Sequence, residues 1–142
     1  MSPLKLVLDT NIVVSALLWG GVPYQFIRLA TEGEIELFTS DALLAELHGV
    51  LARPHLIKRL TRHHVTVEQT MTLYSKLTHC VQPLNTPRVV PGDADDDHTV
   101  AAAVTAQADL IISGDRHLLV LGSHQNIPIA TARQALERIN SP

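Results

Sequence analysis

The chain has 142 residues, 46% hydrophobic and 18% charged, without low-complexity runs or repeats, and this balance excludes a disordered or solenoid protein. A formal net charge of −3 argues against a protein that holds nucleic acid by bulk electrostatics. One cysteine, Cys80, excludes an internal disulfide and a zinc knuckle, and suits a reducing cytoplasm.

One domain over residues 1–142 is expected, burying about two-thirds of the surface its unfolded chain exposes. With aromatics at only 4%, its core should be aliphatic, and Cys80 should be a small buried or half-buried apolar residue. Lys5 and the apolar run IVVSALLWGGV resemble the start of a signal peptide, but Asp9, Thr10 and Asn11 interrupt it. Nothing approaches the roughly eighteen apolar residues of a membrane span, so the expectation is a cytoplasmic protein with no membrane partner.

In chain order, KLVL (5–8) predicts a strand, followed at once by the turn signal DTN. A short helix from about Ile12 to Leu18 ends at Gly20 and Gly21, and Pro23 opens a second helix reaching about Thr31. IELF (35–38) predicts a second strand. Thr39 and Ser40 then cap a helix over Asp41 to Ala52, whose core stripe is Leu43, Leu44, Leu47, Val50 and Leu51, with Glu46 on its margin. Residues 55 to 80 read as two helices, the second from about Val67 to His79. VQPL is a weak third strand, and Pro87, Pro91 and Gly92 make 85 to 93 a loop. A helix over 95 to 108 precedes the buried strand LIIS (110–113). A short helix at about Arg116 to Leu121, a strand at Pro128 to Ala130 and a helix from Thr131 to Ile139 complete the pattern. Strands alternating with helices predict an α/β fold, a central, mostly parallel sheet with helices on both faces.

The segment DADDDHTVAAAV, residues 93 to 104, crowds four aspartates into five positions before a small apolar helix. Caps and turns use Asp routinely. Asp97, however, shares the spacing of Val100, Ala101, Val104 and Ala108 and so begins the inward stripe, whereas Asp95 and Asp96 point elsewhere. An inward carboxylate must find a cation or hydrogen-bond donors. Asp9 after the first strand and Asp115 after LIIS fall at the carboxyl edge of the sheet, where open parallel sheets form their crevice. Either one alone is an ordinary turn former. Together with Asp97 and Glu46 they would repel one another, and Arg116 is the only cation close in sequence. A divalent metal is the better counterion, and an all-oxygen set suits Mg²⁺ or Mn²⁺. The eight histidines show no ligand spacing, and His98 should be exposed. Such a metal serves phosphoryl chemistry, by acidifying water and steadying a leaving oxygen. The stretch RPHLIKRLTRHH (53–64) adds Arg53, Lys58, Arg59 and Arg62 with no acid. It is either a solvated helix face or an edge that contacts phosphates.

VLDTNIVVSALL, SDALLAEL, DADDDHTVAAAV and ADLIISGDRHLL together resemble the PIN-domain ribonucleases, of the bacterial kind that act as toxins of toxin–antitoxin pairs. The resemblance spans nearly the whole chain. It implies a three-layer α/β/α fold, and it carries the family's acidic roles, as metal ligands and catalytic groups, to Asp9, Glu46, Asp97 and Asp115. Thr10 or Asn11 and Ser113 correspond to small polar residues that orient a ligand or a water. Asp95 is a further candidate ligand, with Asp93 and Asp96 as alternatives. The resemblance also implies hydrolysis of single-stranded RNA with Mg²⁺ or Mn²⁺, a homodimer, and inhibition by an antitoxin. Arg53, Lys58, Arg59, Arg62 and Arg116 are the candidate RNA contacts. Two rivals fail at named positions: a haloacid-dehalogenase-type phosphatase needs an acid where Asn11 stands, and a receiver-like module wants paired acids after the first strand and a late lysine. A catalytically silent PIN-fold module that docks an antitoxin or RNA is the alternative function.

Overall fold

The computed structural model describes residues 3–86 and 94–141, with 94 and 95 described by backbone alone. Its elements run β1 (Leu4–Leu8), α1 (Thr10–Leu18), α2 (Gly21–Thr31), β2 (Ile35–Ser40), α3 (Asp41–Leu51), α4 (Pro54–Arg62) and α5 (Val67–Leu77). They continue with β3 (Thr78–Val81), α6 (Ala94–Ala106), β4 (Leu110–Ile112), α7 (Arg116–Leu121), β5 (Ser123–His124), β6 (Ile127–Ala130) and α8 (Ala132–Asn140).

The strands form one sheet in the order β3-β2-β1-β4-β6-β5, parallel except for the short antiparallel pairing of β5 with β6. Side chains alternate across it with the period of a strand. Leu6, Leu8, Leu37, Leu110 and Ile112 enter a cluster with Val13, Phe26, Leu47, Leu51, Leu60 and Tyr74 from α1 to α5. Val7 and Ile111 point the other way, onto Val100, Ala102 and Ala103 of α6 and Leu118 of α7. Helices therefore cover both faces, and the fold is the expected three-layer α/β/α. Chain order along the sheet reverses between β1 and β4, whose register pairs Leu8 with Ile112. That reversal opens a crevice at the carboxyl ends of these two strands.

Local signals account for most boundaries. Ser40 accepts a hydrogen bond from Leu43 N and starts α3, while Thr66 with Gln69 and Thr131 with Gln134 form capping boxes that start α5 and α8. Gly20 and Gly21 both adopt positive φ, +71° and +69°, where a side chain would be strained. They turn α1 into α2 at 89°. No single described helix is long and apolar enough to cross a membrane.

Three expectations need correction. The third strand is Thr78–Val81 rather than VQPL, so the helix before it ends at Leu77. Thr78–Val81 pairs in register with Leu37–Ser40, and Pro83, which lacks an N–H, cannot extend the ladder. Ser123–His124, unforeseen, forms an edge strand through the hairpin at Gln125 and Asn126, both at positive φ. Cys80 is exposed, because β3 is the sheet's outer edge; its thiol donates to Asp41 Oδ1 at 3.5 Å. Burial and the Asp41 carboxylate push that thiol's pKa up. The loop expected over 85 to 93 is described only at its first two residues.

Candidate metal centre

A cavity of about 90 Å³ lies at the crevice between β1 and β4, lined by Asp9, Thr10, Asn11, Glu46, Asp96, Thr99 and Asp115. Asp9 leaves the end of β1 with its N–H bonded to Ile112 O of β4, 3.0 Å away. Its backbone is extended and its Oδ1 accepts from Ile12 N at 2.9 Å, which makes it the N-cap of α1. Asp115 does the same for α7, accepting from His117 N at 2.8 Å and Leu118 N at 3.3 Å. Capping and site-building are thus the same act: each cap fixes its carboxylate at the sheet edge.

Ser113, fully buried, ties the two together. Its hydroxyl donates to Asp9 Oδ2 and accepts from Asp115 N at 2.9 Å. The bridge links residues 9 and 115 across the central strand pair. Glu46 arrives from the margin of α3, and Asp96 and Thr99 arrive from consecutive turns of α6.

The electrostatics of this cluster ask for a cation. Burial raises the pKa of Asp9; the Ser113 hydroxyl and Ile12 N–H pull it back, and the Asp115 charge pushes it up again. The net shift is upward, so the Asp9 carboxylate is undersupplied with positive charge in the absence of a ligand. The same Asp9 charge adds to burial in raising the Tyr74 phenol. Single atoms of Asp96, Asp115 and His117 lie within 4.8 Å of one another, close enough to share one ion. The His117 Nδ1 is 3.6 Å from Asp115 Oδ1 on the exposed side. A volume of about 90 Å³ has room for an ion with its waters and none for an organic cofactor, whose pockets run to about 300 Å³ or more. The donor set is oxygen-dominated, which fits a hard divalent cation. Asp9, Glu46, Asp96 and Asp115 would hold it, with His117 within reach at the rim.

Most of the expected residues meet here: Asp9, Thr10, Asn11, Glu46 and Asp115 line the cavity, and Ser113 lies directly behind it. Asp97 does not line it. It is 6% exposed and buried as its phase predicts, but Asp96, also 6% exposed, takes the wall. The reading that Asp96 points elsewhere fails because α6 is buried on almost every side, so its apolar stripe cannot choose between adjacent acids. His117 was also missed; its signal is the spacing Asp115-x-His117 across the first turn of α7. His98 is half-buried rather than exposed. Asp93 and the side chain of Asp95 lie outside what is described. Of the basic candidates, Arg53, Lys58, Arg62 and Arg116 are exposed, and Arg59 is half-buried against α1.

A family model described as PIN domain matches residues 5–117. The chain belongs to the PIN domain family. An uncharacterized protein of Methanocaldococcus jannaschii is 32% identical over 119 residues, 83% of this chain and 75% of that one. The matched region of this PIN domain contains every residue of the cavity, from Asp9 to Asp115, together with His117. PIN domains are typically metal-dependent nucleases, and the acidic cluster is consistent with that chemistry.

Proposed function

We propose that this PIN domain is an endoribonuclease that hydrolyses phosphodiester bonds of single-stranded RNA with Mg²⁺ or Mn²⁺. It would act in the cytoplasm as the toxin of a toxin–antitoxin pair, as a homodimer that a cognate antitoxin restrains. The observation that carries the nuclease reading is the meeting of Asp9, Glu46, Asp96 and Asp115 in one small cavity where the sheet reverses its order.

Hydrolysis joins a water oxygen to phosphorus, breaks one P–O ester bond and returns a proton to the departing oxygen. A divalent cation, when bound, would offset the charge between this acidic pocket and the phosphodiester and make water easier to deprotonate. The chain's own residues supply position. The caps of α1 and α7 hold Asp9 and Asp115, and the Ser113 hydroxyl donates to Asp9 Oδ2. Thr10 and Asn11, at the start of α1, give the cavity neutral donors for a phosphate oxygen, beside the positive end of that helix's dipole.

Cleavage of a panel of single-stranded RNAs with Mg²⁺ or Mn²⁺, comparing the wild type with Asp9→Asn, tests the proposal. Metal-dependent cleavage lost in the variant is the expected result. Uncut RNA with wild-type protein at saturating metal would leave the silent docking module instead.

A further inference from the structure

At the other end of α1 from the acidic cavity, the chain exposes its only tryptophan: Trp19 is 56% exposed. An exposed indole with a cation beside it is a surface on which a planar group can stack. Arg59 of α4 lies over this ring, its Cζ 4.7 Å from the centroid. The guanidinium is itself fixed, with Nε and Nη2 donating to Leu18 O at 3.2 and 2.8 Å. The ring is therefore held before any ligand arrives, with a cation on one face and surface left for a second flat group.

The helix connects this platform to the cavity. Trp19 N bonds Ser15 O at 3.0 Å and keeps the helical spacing, so Asn11, Ser15 and Trp19 occupy one ridge of α1. Asn11 lines the acidic cavity, Ser15 is half-buried and Trp19 exposed. The span from Asn11 to Trp19 is about 12 Å, eight residues at the helical rise. No acid lies on α1 or anywhere in residues 53 to 64, and His63 and His64 flank Arg59 around a cavity of about 620 Å³. Lys58 and Arg62 stand exposed on the same α4.

We propose that Trp19 and Arg59 form a stacking subsite for one unpaired base of the RNA strand that is cut at the acidic cavity, the Arg59, His63 and His64 side facing its phosphates. An aromatic platform beside clustered cations is how single strands are held without sequence preference. The apolar floor of the neighbouring cavity, Leu17, Leu18 and Leu60, would also take a peptide's side chains. The unbroken ridge to the acidic cavity favours the strand.

The inference rests on the nuclease reading, and a sole tryptophan lets the two be tested apart. The uncut complex of Asp115→Asn with a single-stranded oligoadenylate and Mg²⁺ should show saturable quenching of Trp19 emission. In otherwise wild-type protein, Trp19→Ala should raise KM for the oligonucleotide about tenfold with kcat held, and Trp19→Phe should restore most of it. Binding seen by anisotropy of a labelled strand, with Trp19 emission and the KM of Trp19→Ala both unmoved, would overturn the subsite and leave the nuclease standing. Neither binding nor cleavage would sink both. Emission that responds to an acidic peptide, undisturbed by excess oligonucleotide, would assign the surface to a protein partner and overturn the proposal.

Discussion

At its first turn α1 abuts a pocket where carboxylates are withdrawn from water; just past its last turn Trp19 presents an aromatic ring to water beside a guanidinium from α4. Both arrangements cost stability, one by desolvating charge and the other by exposing apolar surface. The acidic end is built from caps and a buried hydroxyl and is locked into the sheet. The basic end is built from a side chain reaching across from α4 and rests on two hydrogen bonds to one carbonyl. Chemistry belongs with the rigid atoms, which must be placed to a fraction of an ångström, and affinity with a platform that tolerates any base.

The largest effects are expected at the acidic end. Asp115→Asn keeps a capping oxygen and should preserve the fold while lowering cleavage on the order of 100- to 1000-fold, measured by single-turnover assay of a labelled RNA. Ser113→Ala removes the bridge without touching a carboxylate, and should weaken Mn²⁺ binding about 10- to 100-fold by calorimetry. If affinity is unchanged, the acids do not need Ser113 to hold their positions. A third change should move stability upward. The folded-state pKa of Asp9 is raised, so this residue stabilises the metal-free fold least at neutral pH. Its contribution is full below about the ordinary carboxyl value of 3.8 and is lost as pH rises through the raised value. Asp9→Asn should therefore stabilise the metal-free protein at pH 7, read as a higher Tm, with the gain vanishing in acid. Added Mn²⁺ should reverse the ranking, raising Tm in wild type alone. The smallest effect belongs to the basic end: neutralising Arg53, Lys58 and Arg62 should flatten the log–log salt slope of RNA binding by about two. An unchanged slope would make that face merely solvated.

Much of this was legible in the sequence, and particular residues explain what was not. KLVL and LIIS are short apolar runs bounded by turn signals, so the two acids following them could be placed on one edge. Glu46 was placed by the phase of α3, a helix with a clear wet side. The same argument turns Asp97 inward, where it is buried, but it does not foresee that Asp96 is buried beside it and lines the cavity, since α6 is packed against the sheet and α3 and buries Thr99, Val100, Ala101, Ala102 and Ala103 in succession. A helix whose wet side is this narrow leaves the phase of adjacent acids unreadable. His117 and the Trp19–Arg59 pair join residues through space across turns, which periodicity along one element does not register.

The Ser113 hydroxyl that joins the two strand-end acids has a dynamic consequence. With Asp9 N bonded to Ile112 O and Ser113 N to Ala130 O, the floor of the pocket is stitched into three adjacent strands at once. Its amides should then surrender their hydrogens to deuterated solvent only when the whole molecule unravels, while those around Trp19 exchange through local fraying.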